Sequence, residues 1–275
     1  MARTRQRRCR LGPSVSYPEL QSAIASERLP LIIDVRRRPA YRAATEMVSG
    51  ALARDPESVS SWASELPASS TVVVYCVHGH EVSQGVARAL RERGIAASYI
   101  EGGIEEGWKT AGGALDRKPA GAATRWVTRE RPKIDRIACP WLIARFVDKD
   151  AEFVYVPAKE VLEAAQRENA TPYDIAGVAF THVGEHCSFD AFLRHYRLTD
   201  PALDQLAVIV RGADTAKLDL APQAPGLAAI SLGLSRNFAD DHEMLKHGMV
   251  MYEALYAWCK EGQDENHTWT PGTYR

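Results

Sequence analysis

No run of about 18 uninterrupted apolar residues occurs in the chain, so no segment is expected to cross a membrane as a helix and no membrane partner is expected. The amino end also lacks the apolar stretch of a secretory signal. MARTRQRRCR carries five arginines and runs directly into LGPSVSYPEL, which favours a cytoplasmic location. Net charge is nearly absent at −1, so bulk electrostatics selects no partner, and nucleic acid is not expected despite the short basic arm. Internal repeats and low-complexity tracts are missing. Cysteine is sparse: five residues, an odd number, scattered through 275, do not form a disulfide scaffold and suit a reducing compartment.

What is present is the composition of a globular protein, 45% hydrophobic and 25% charged, with length enough for two domains. PLIIDV (30–35) and TVVVYC (71–76) are short aliphatic runs expected as buried strands of a parallel sheet. SVSSWASEL (58–66) has helical spacing, Ser83 is placed to cap a helix over QGVARALRERG, and Gly94 is placed to stop it. ASYIEGG (97–103) reads as a further strand. This alternation implies right-handed crossovers and an α/β parallel sheet with helices on both faces. GGALDRKPAGAATR (112–125) lacks periodicity and marks a linker. The expected division is a disordered basic arm over 1–13, a first domain over 14–114, a linker over 115–124, a second domain over 125–262 and a tail over 263–275. The second domain reads as mostly helical, from WLIARFVDKD, KEVLEAAQRENA, CSFDAFLRHYR, DPALDQLAVIV and DDHEMLKHGMVMYEALYAWCK, with short strands such as EFVYVP.

Cys76 falls where the buried strand TVVVYC ends, the position at which open α/β sheets hold ligands. If residues 77–82 curl around it, their amides form a nest and the following helix adds partial positive charge, which together stabilise an anionic sulfur or a persulfide. The alternative is a small buried hydrophobe, the usual fate of a free cysteine. The adjoining polar, glycine-containing loop favours the functional role. His78 and His80 lack further ligands nearby in sequence and read as loop hydrogen-bonding residues.

This region resembles a single-domain rhodanese, a sulfurtransferase. LIIDVR (31–36) is similar to its first strand, MVSGALA (47–53) to the entry of the second, CVHGHEVS (76–83) to the active-site loop and YIEGGIEEGWKTAGG (99–113) to the closing segment. The resemblance implies Cys76 as sulfur carrier, Val77, His78, Gly79, His80, Glu81 and Val82 as the substrate-binding loop, and Arg36 near it. No cofactor is implied for sulfur transfer. In place of the family's basic residue five after the cysteine stands Glu81, and Ser83 arrives one residue late. An acidic rim disfavours dianions such as thiosulfate and points to a low-charge or protein-bound persulfide donor.

The second half holds potential ligands in four blocks: Asp135 and Cys139; His182, Glu185, His186 and Cys187; Asp214; and Asp240, Asp241, His242 and His247. His182, Asp214, Asp241 and His242 are the expected metal set, for iron, manganese or zinc. Arg136 and Arg211 are candidate anion ligands. Asp240 and Asp241 serve equally well as helix caps, and Arg211 with Asp214 as an ion pair. RPKIDRIACPWLIARF, FTHVGEHCSFDAFL, IVRGADTAKLDLAPQAPGLAAISLGLSR and DDHEMLKHGMVMYEALYAW are similar to the carboxy-terminal domain of ChrB-type chromate-resistance proteins. That resemblance implies a role in chromate resistance or oxyanion response.

The leading expectation is therefore a sulfurtransferase working through a Cys76 persulfide, with a small-molecule or protein persulfide donor and a thiol acceptor such as glutathione. The alternative is a non-catalytic sensor of chromate, sulfate or a metal ion acting through the second domain. Direct chromate reduction ranks last, because no second cysteine lies near Cys76 in sequence.

Overall fold

Runs of β-branched residues bounded by charge and proline set the strands, and the computed structural model describes residues 13–25, 30–66, 70–118 and 124–263. The basic arm up to residue 12, the 119–123 part of the expected linker and the tail from 264 lie outside the described residues. The chain forms two units, one of residues up to 125 with 145–152 and 194–198, the other of 126–144, 153–193 and residues from 199.

In the first unit, β1 (Ser14–Val15), α1 (Tyr17–Ala25), β2 (Leu31–Asp34), α2 (Arg38–Ala43), β3 (Glu46–Val48), β4 (Leu52–Ala53), α3 (Val59–Ala63), β5 (Thr71–Tyr75), α4 (Glu81–Glu92), β6 (Ala96–Ile100) and β7 (Leu115–Arg117) follow in order. Five strands form one sheet in the order β1-β6-β5-β2-β4, and every neighbouring pair is parallel. Leu31 pairs with Val72 and Val73 with Ser98, which puts the carboxyl ends of β2 and β5 at the same edge. Alternation along the strands sends Ile32, Val73, Tyr75 and Ile100 to one face, where Leu20 of α1, Ile104 and Trp108 cover them. The amphipathic helix α4 packs on β5 and β6 through Val86, Ala87 and Leu90, leaving its arginines outward. Gly94, at φ +80°, ends that helix as expected.

Two expectations change. The segment taken as linker begins with a strand: β7 pairs antiparallel with β3, Glu46 opposite Arg117, and the ammonium of the buried Lys118 donates to the Ala44 carbonyl at 2.7 Å. Ser83 is not the cap of α4. The helix starts three residues earlier, with His80 at the N-cap, so Glu81 and Val82 belong to its first turn and Ser83 is buried inside it.

The second unit contains β8 (Arg125–Arg129) from Trp126 on, α5 (Asp135–Leu142), β9 (Glu152–Val156) from Phe153 on, α6 (Val161–Arg167), β10 (Thr171–Pro172), α7 (Ser188–His195) up to Leu193, α8 (Pro201–Asp214), α9 (Ala224–Asn237) and α10 (Asp241–Ala257). It is mostly helical, around a small sheet in the order β10-β8-β9. Aromatic packing fills its core, with Phe180 stacked on Phe192 at 4.3 Å and Trp126 edge-on to Phe180 at 5.4 Å. Helix α9 has no counterpart in the sequence reading. Its apolar spacing is interrupted by Gly226 and Gly233, while Pro225 sits in the first turn, where a missing N–H costs nothing.

Candidate functional site

Cys76 is the first residue after β5, and its side chain is buried. Its Sγ lies 3.2 Å from the Ser83 hydroxyl, one turn into α4. Between them, residues 77–80 make the whole of the loop, and the helix that follows directs its amino end and partial positive charge towards it. The loop is clamped by the glycine turn after β6. Ile104 N–H donates to the Cys76 carbonyl at 3.0 Å and Glu105 N–H to that of Val77 at 3.1 Å. Gly79, at φ +70°, and Gly103, at φ +60°, are in such close contact that a Cβ on Gly103 would lie 2.5 Å from Cys76 O, Gly79 N and Val77 O. The exposed His78 Nδ1 lies 2.7 Å from Glu106, and that contact lowers the Glu106 pKa below its ordinary value. His80 and Glu81 are exposed at the mouth.

A second constellation lies in the other unit. His182 Nε2 is 3.1 Å from Asp214, 3.3 Å from Asp135 and 3.4 Å from Asp174. Asp135, Asp214 and the Cys187 sulfur form an adjoining triad whose donor atoms lie within 4.8 Å of one another. Asp135 opens α5, Asp214 closes α8, Cys187 precedes α7, and Asp174 follows β10 at φ +53°. His182 sits on a tight turn in which Val183 and His186 exchange backbone hydrogen bonds. Burial and the neighbouring Asp135 push the Asp214 carboxyl up to about 8, while the hydrogen bond to Asp135 raises His182 to about 9. Burial, with Asp135, Asp190 and Asp214 nearby, pushes the Cys187 thiol far up.

Comparison with known proteins matches these two regions separately. The family model described as a rhodanese-like domain matches residues 16–111, and that described as the ChrB C-terminal domain matches 126–259. The chain carries both domains. Protein ChrB of Cupriavidus metallidurans is 30% identical over 133 residues, 48% of this chain and 40% of that protein, so well under two thirds of that relative is spanned. A rhodanese-like domain from Anabaena, solved by solution NMR, is 31% identical, covering 41% of this chain and 88% of its own with a TM-score of 0.34. A rhodanese-like domain protein from Staphylococcus aureus is 21% identical over 39% of this chain and 99% of its own, with a TM-score of 0.33.

In the rhodanese-like domain, Cys76, Val77, His78, Gly79 and His80 occupy the loop, whereas Glu81 and Val82 lie on the helix. Arg36 is not a loop residue. Its Nε and Nη2 bond the Asp34 carboxylate, Nη2 at 2.6 Å, and Nη2 also donates to the Glu46 carbonyl. Tyr75 completes this buried network by donating to Asp34 at 2.8 Å. Tyr75 and Cys76 are successive residues facing opposite ways, and Arg36 follows Asp34 to the Tyr75 side.

In the ChrB C-terminal domain, His182 and Asp214 come together as expected, but Asp241 and His242 do not join them. Asp241 accepts from the Arg131 amide at 3.0 Å, and the His242 ring stands edge-on to Tyr155 at 5.5 Å. Asp240 caps α10 by accepting from Glu243 N–H at 2.8 Å. Both arginines proposed for anions already hold carboxylates. Arg136 Nε is 3.1 Å from Asp174, and Arg211 grips Asp190 through Nε and Nη2. Asp174 entered no sequence motif; only its place beside a buried tyrosine and its left-handed backbone mark it, and the latter is invisible in sequence.

Proposed function

We propose that the rhodanese-like domain is a sulfurtransferase that carries sulfur as a persulfide on Cys76. The observation that supports this most directly is the seat of the thiol. It lies at the carboxyl edge of a parallel sheet, beside a helix amino end and the Ser83 hydroxyl, within a loop locked by Gly79 and Gly103. In the forward step the Cys76 thiolate attacks the outer sulfur of a donor persulfide. A new S–S bond forms, the donor's S–S bond breaks, and the donor thiolate leaves with the electron pair. A thiol acceptor such as glutathione, as its thiolate, then takes the outer sulfur and Cys76 departs as thiolate. No oxidant, reductant or cofactor is consumed.

The mouth of the loop carries Glu81 and Glu106, both exposed, so a low-charge or protein-bound persulfide is a better donor than the thiosulfate dianion. Cyanide-dependent thiocyanate formation is expected to be faster with a persulfide donor than with thiosulfate, and to be lost in Cys76→Ser. An equal or better rate on thiosulfate overturns the donor assignment, and undiminished turnover in Cys76→Ser overturns the carrier. We assign the reaction to chromate resistance or to oxyanion and thiol stress in a reducing cytoplasm, on the strength of the ChrB C-terminal domain. Resistance in cells is then expected to vanish with Cys76→Ser, whereas a purely sensing protein retains it. The sensing reading is weakened by the carboxylates that already occupy Arg136 and Arg211.

A further inference from the structure

We propose that Asp135, Asp174, His182 and Asp214, backed by the Cys187 sulfur, bind one divalent transition-metal ion. Three separate elements bring a carboxylate oxygen to a single ring atom, His182 Nε2, at 3.1, 3.3 and 3.4 Å. One N–H satisfies one acceptor well and leaves the others wanting. The same chain shows what a simple imidazole–carboxylate pair looks like: His78 with Glu106 and His195 with Asp116 each close to 2.7 Å. The spacing around His182 is instead that of donors sharing an ion. Bonds of about 2.1 Å put neighbouring ligand atoms roughly 3.0 to 3.4 Å apart.

Charge points the same way. Asp174 is met by Arg129 at 2.5 Å and Arg136 at 3.1 Å, through its Oδ2, while its Oδ1 faces His182 and takes the Ser188 hydroxyl. Asp135 and Asp214 have no arginine or lysine partner among the described residues. Asp135 is 2% exposed; its Oδ2 meets His182 and the Ser188 amide, each at 3.3 Å, and its carboxyl is also in hydrogen-bond contact with that of Asp214, so two acids and one imidazole converge with no fixed cation among them. Two carboxyls buried against each other repel when both are ionised; a shared proton relieves that, and a metal cation that displaces the proton relieves it too. Asp135 is also fixed in place. Ile134 holds a left-handed conformation at φ +45°, with its N–H donated to Ser231 Oγ and its carbonyl accepting from Tyr252, both at 2.8 Å. His182, with 41% of its side chain exposed, gives an ion its entry.

Oxygen donors with one imidazole suit manganese(II) or iron(II), and the adjoining thiol extends the set towards zinc. The site is independent of sulfur transfer. The test strips the full-length protein with a chelator, dialyses it against Mn²⁺ or Zn²⁺ in separate arms, and counts ions per chain by elemental analysis. One equivalent of either ion is expected, together with a rise in the melting temperature. His182→Ala, an exposed change, and the isosteric Asp214→Asn are each expected to weaken binding at least tenfold, while Asp219→Asn on the surface leaves it unchanged. Less than a tenth of an equivalent in both arms with no melting shift in the wild-type chain overturns the site, as does undiminished binding in His182→Ala and Asp214→Asn.

Discussion

A hydroxyl 3.2 Å from a thiol stabilises its anion most when sulfur carries charge, as it does before attack and after release. Replacing Ser83 with Ala removes that hydrogen bond and little volume. At about 0.5 to 1.5 kcal/mol for such a bond, turnover with a persulfide donor is expected to fall roughly two- to tenfold, read as kcat in the thiocyanate assay. The Tyr75 hydroxyl has a different task, joining Asp34 to the Val48 amide inside the core. Tyr75→Phe strands the Val48 N–H and takes one donor from Asp34, which keeps Arg36, and urea unfolding is expected to show a loss of about 1 to 3 kcal/mol. Gly103→Ala is predicted to be harsher. It adds a Cβ 2.5 Å from three backbone atoms at a positive φ, so stability should drop by more than about 2 kcal/mol or the soluble protein should be lost, measured by the same titration. The sequence revealed Cys76 and the glycines through their order, but not Ser83 as a neighbour of the sulfur. That contact depends on α4 starting at Glu81, and helix starts without a Ser, Thr, Asp or Asn cap carry little local signal.

At the scale of elements, buried aliphatic strands and the strongly amphipathic α4 were legible, because hydrophobic periodicity is written directly in the residues. Strand β7 was not. Its Leu-Asp-Arg has no strand pattern, and it forms because β3 offers an edge to pair with. It also positions Asp116, which accepts from the Gly50 amide and Ser49 hydroxyl and lies 2.7 Å from His195 Nε2. Burial alone would raise the Asp116 pKa, but the His195 contact, with the amide and hydroxyl, outweighs it and holds the carboxyl below its ordinary range. A depressed carboxylate stabilises the fold above its unfolded value of about 4 and loses that contribution as pH falls through the lower folded value. Urea midpoints followed from about pH 5 to about pH 2 are expected to decline less steeply in Asp116→Asn than in the parent chain.

For the whole molecule, each candidate site draws its side chains from one unit, Cys76 and Ser83 from the first and the His182 cluster from the second. Variants are therefore expected to act separately. Cys76→Ser should leave the metal count intact, and His182→Ala should leave thiocyanate formation intact, checked by running both assays on both proteins. The two-domain plan was readable because each half carries its own ordered motifs. The composition of the second site was only half readable. His182 and Asp214 stand in recognisable blocks, but Asp174 reaches them through a left-handed backbone, and Asp241 is drawn away by the Arg131 amide.

The clamp on the cysteine loop has one more use. The amides of Ile104 and Glu105 are tied to the carbonyls of Cys76 and Val77, from a segment nearly thirty residues further along the chain. Their exchange with deuterium requires the seat of the sulfur to open, so the protection of two named amides becomes a clock for that opening, readable with no substrate present.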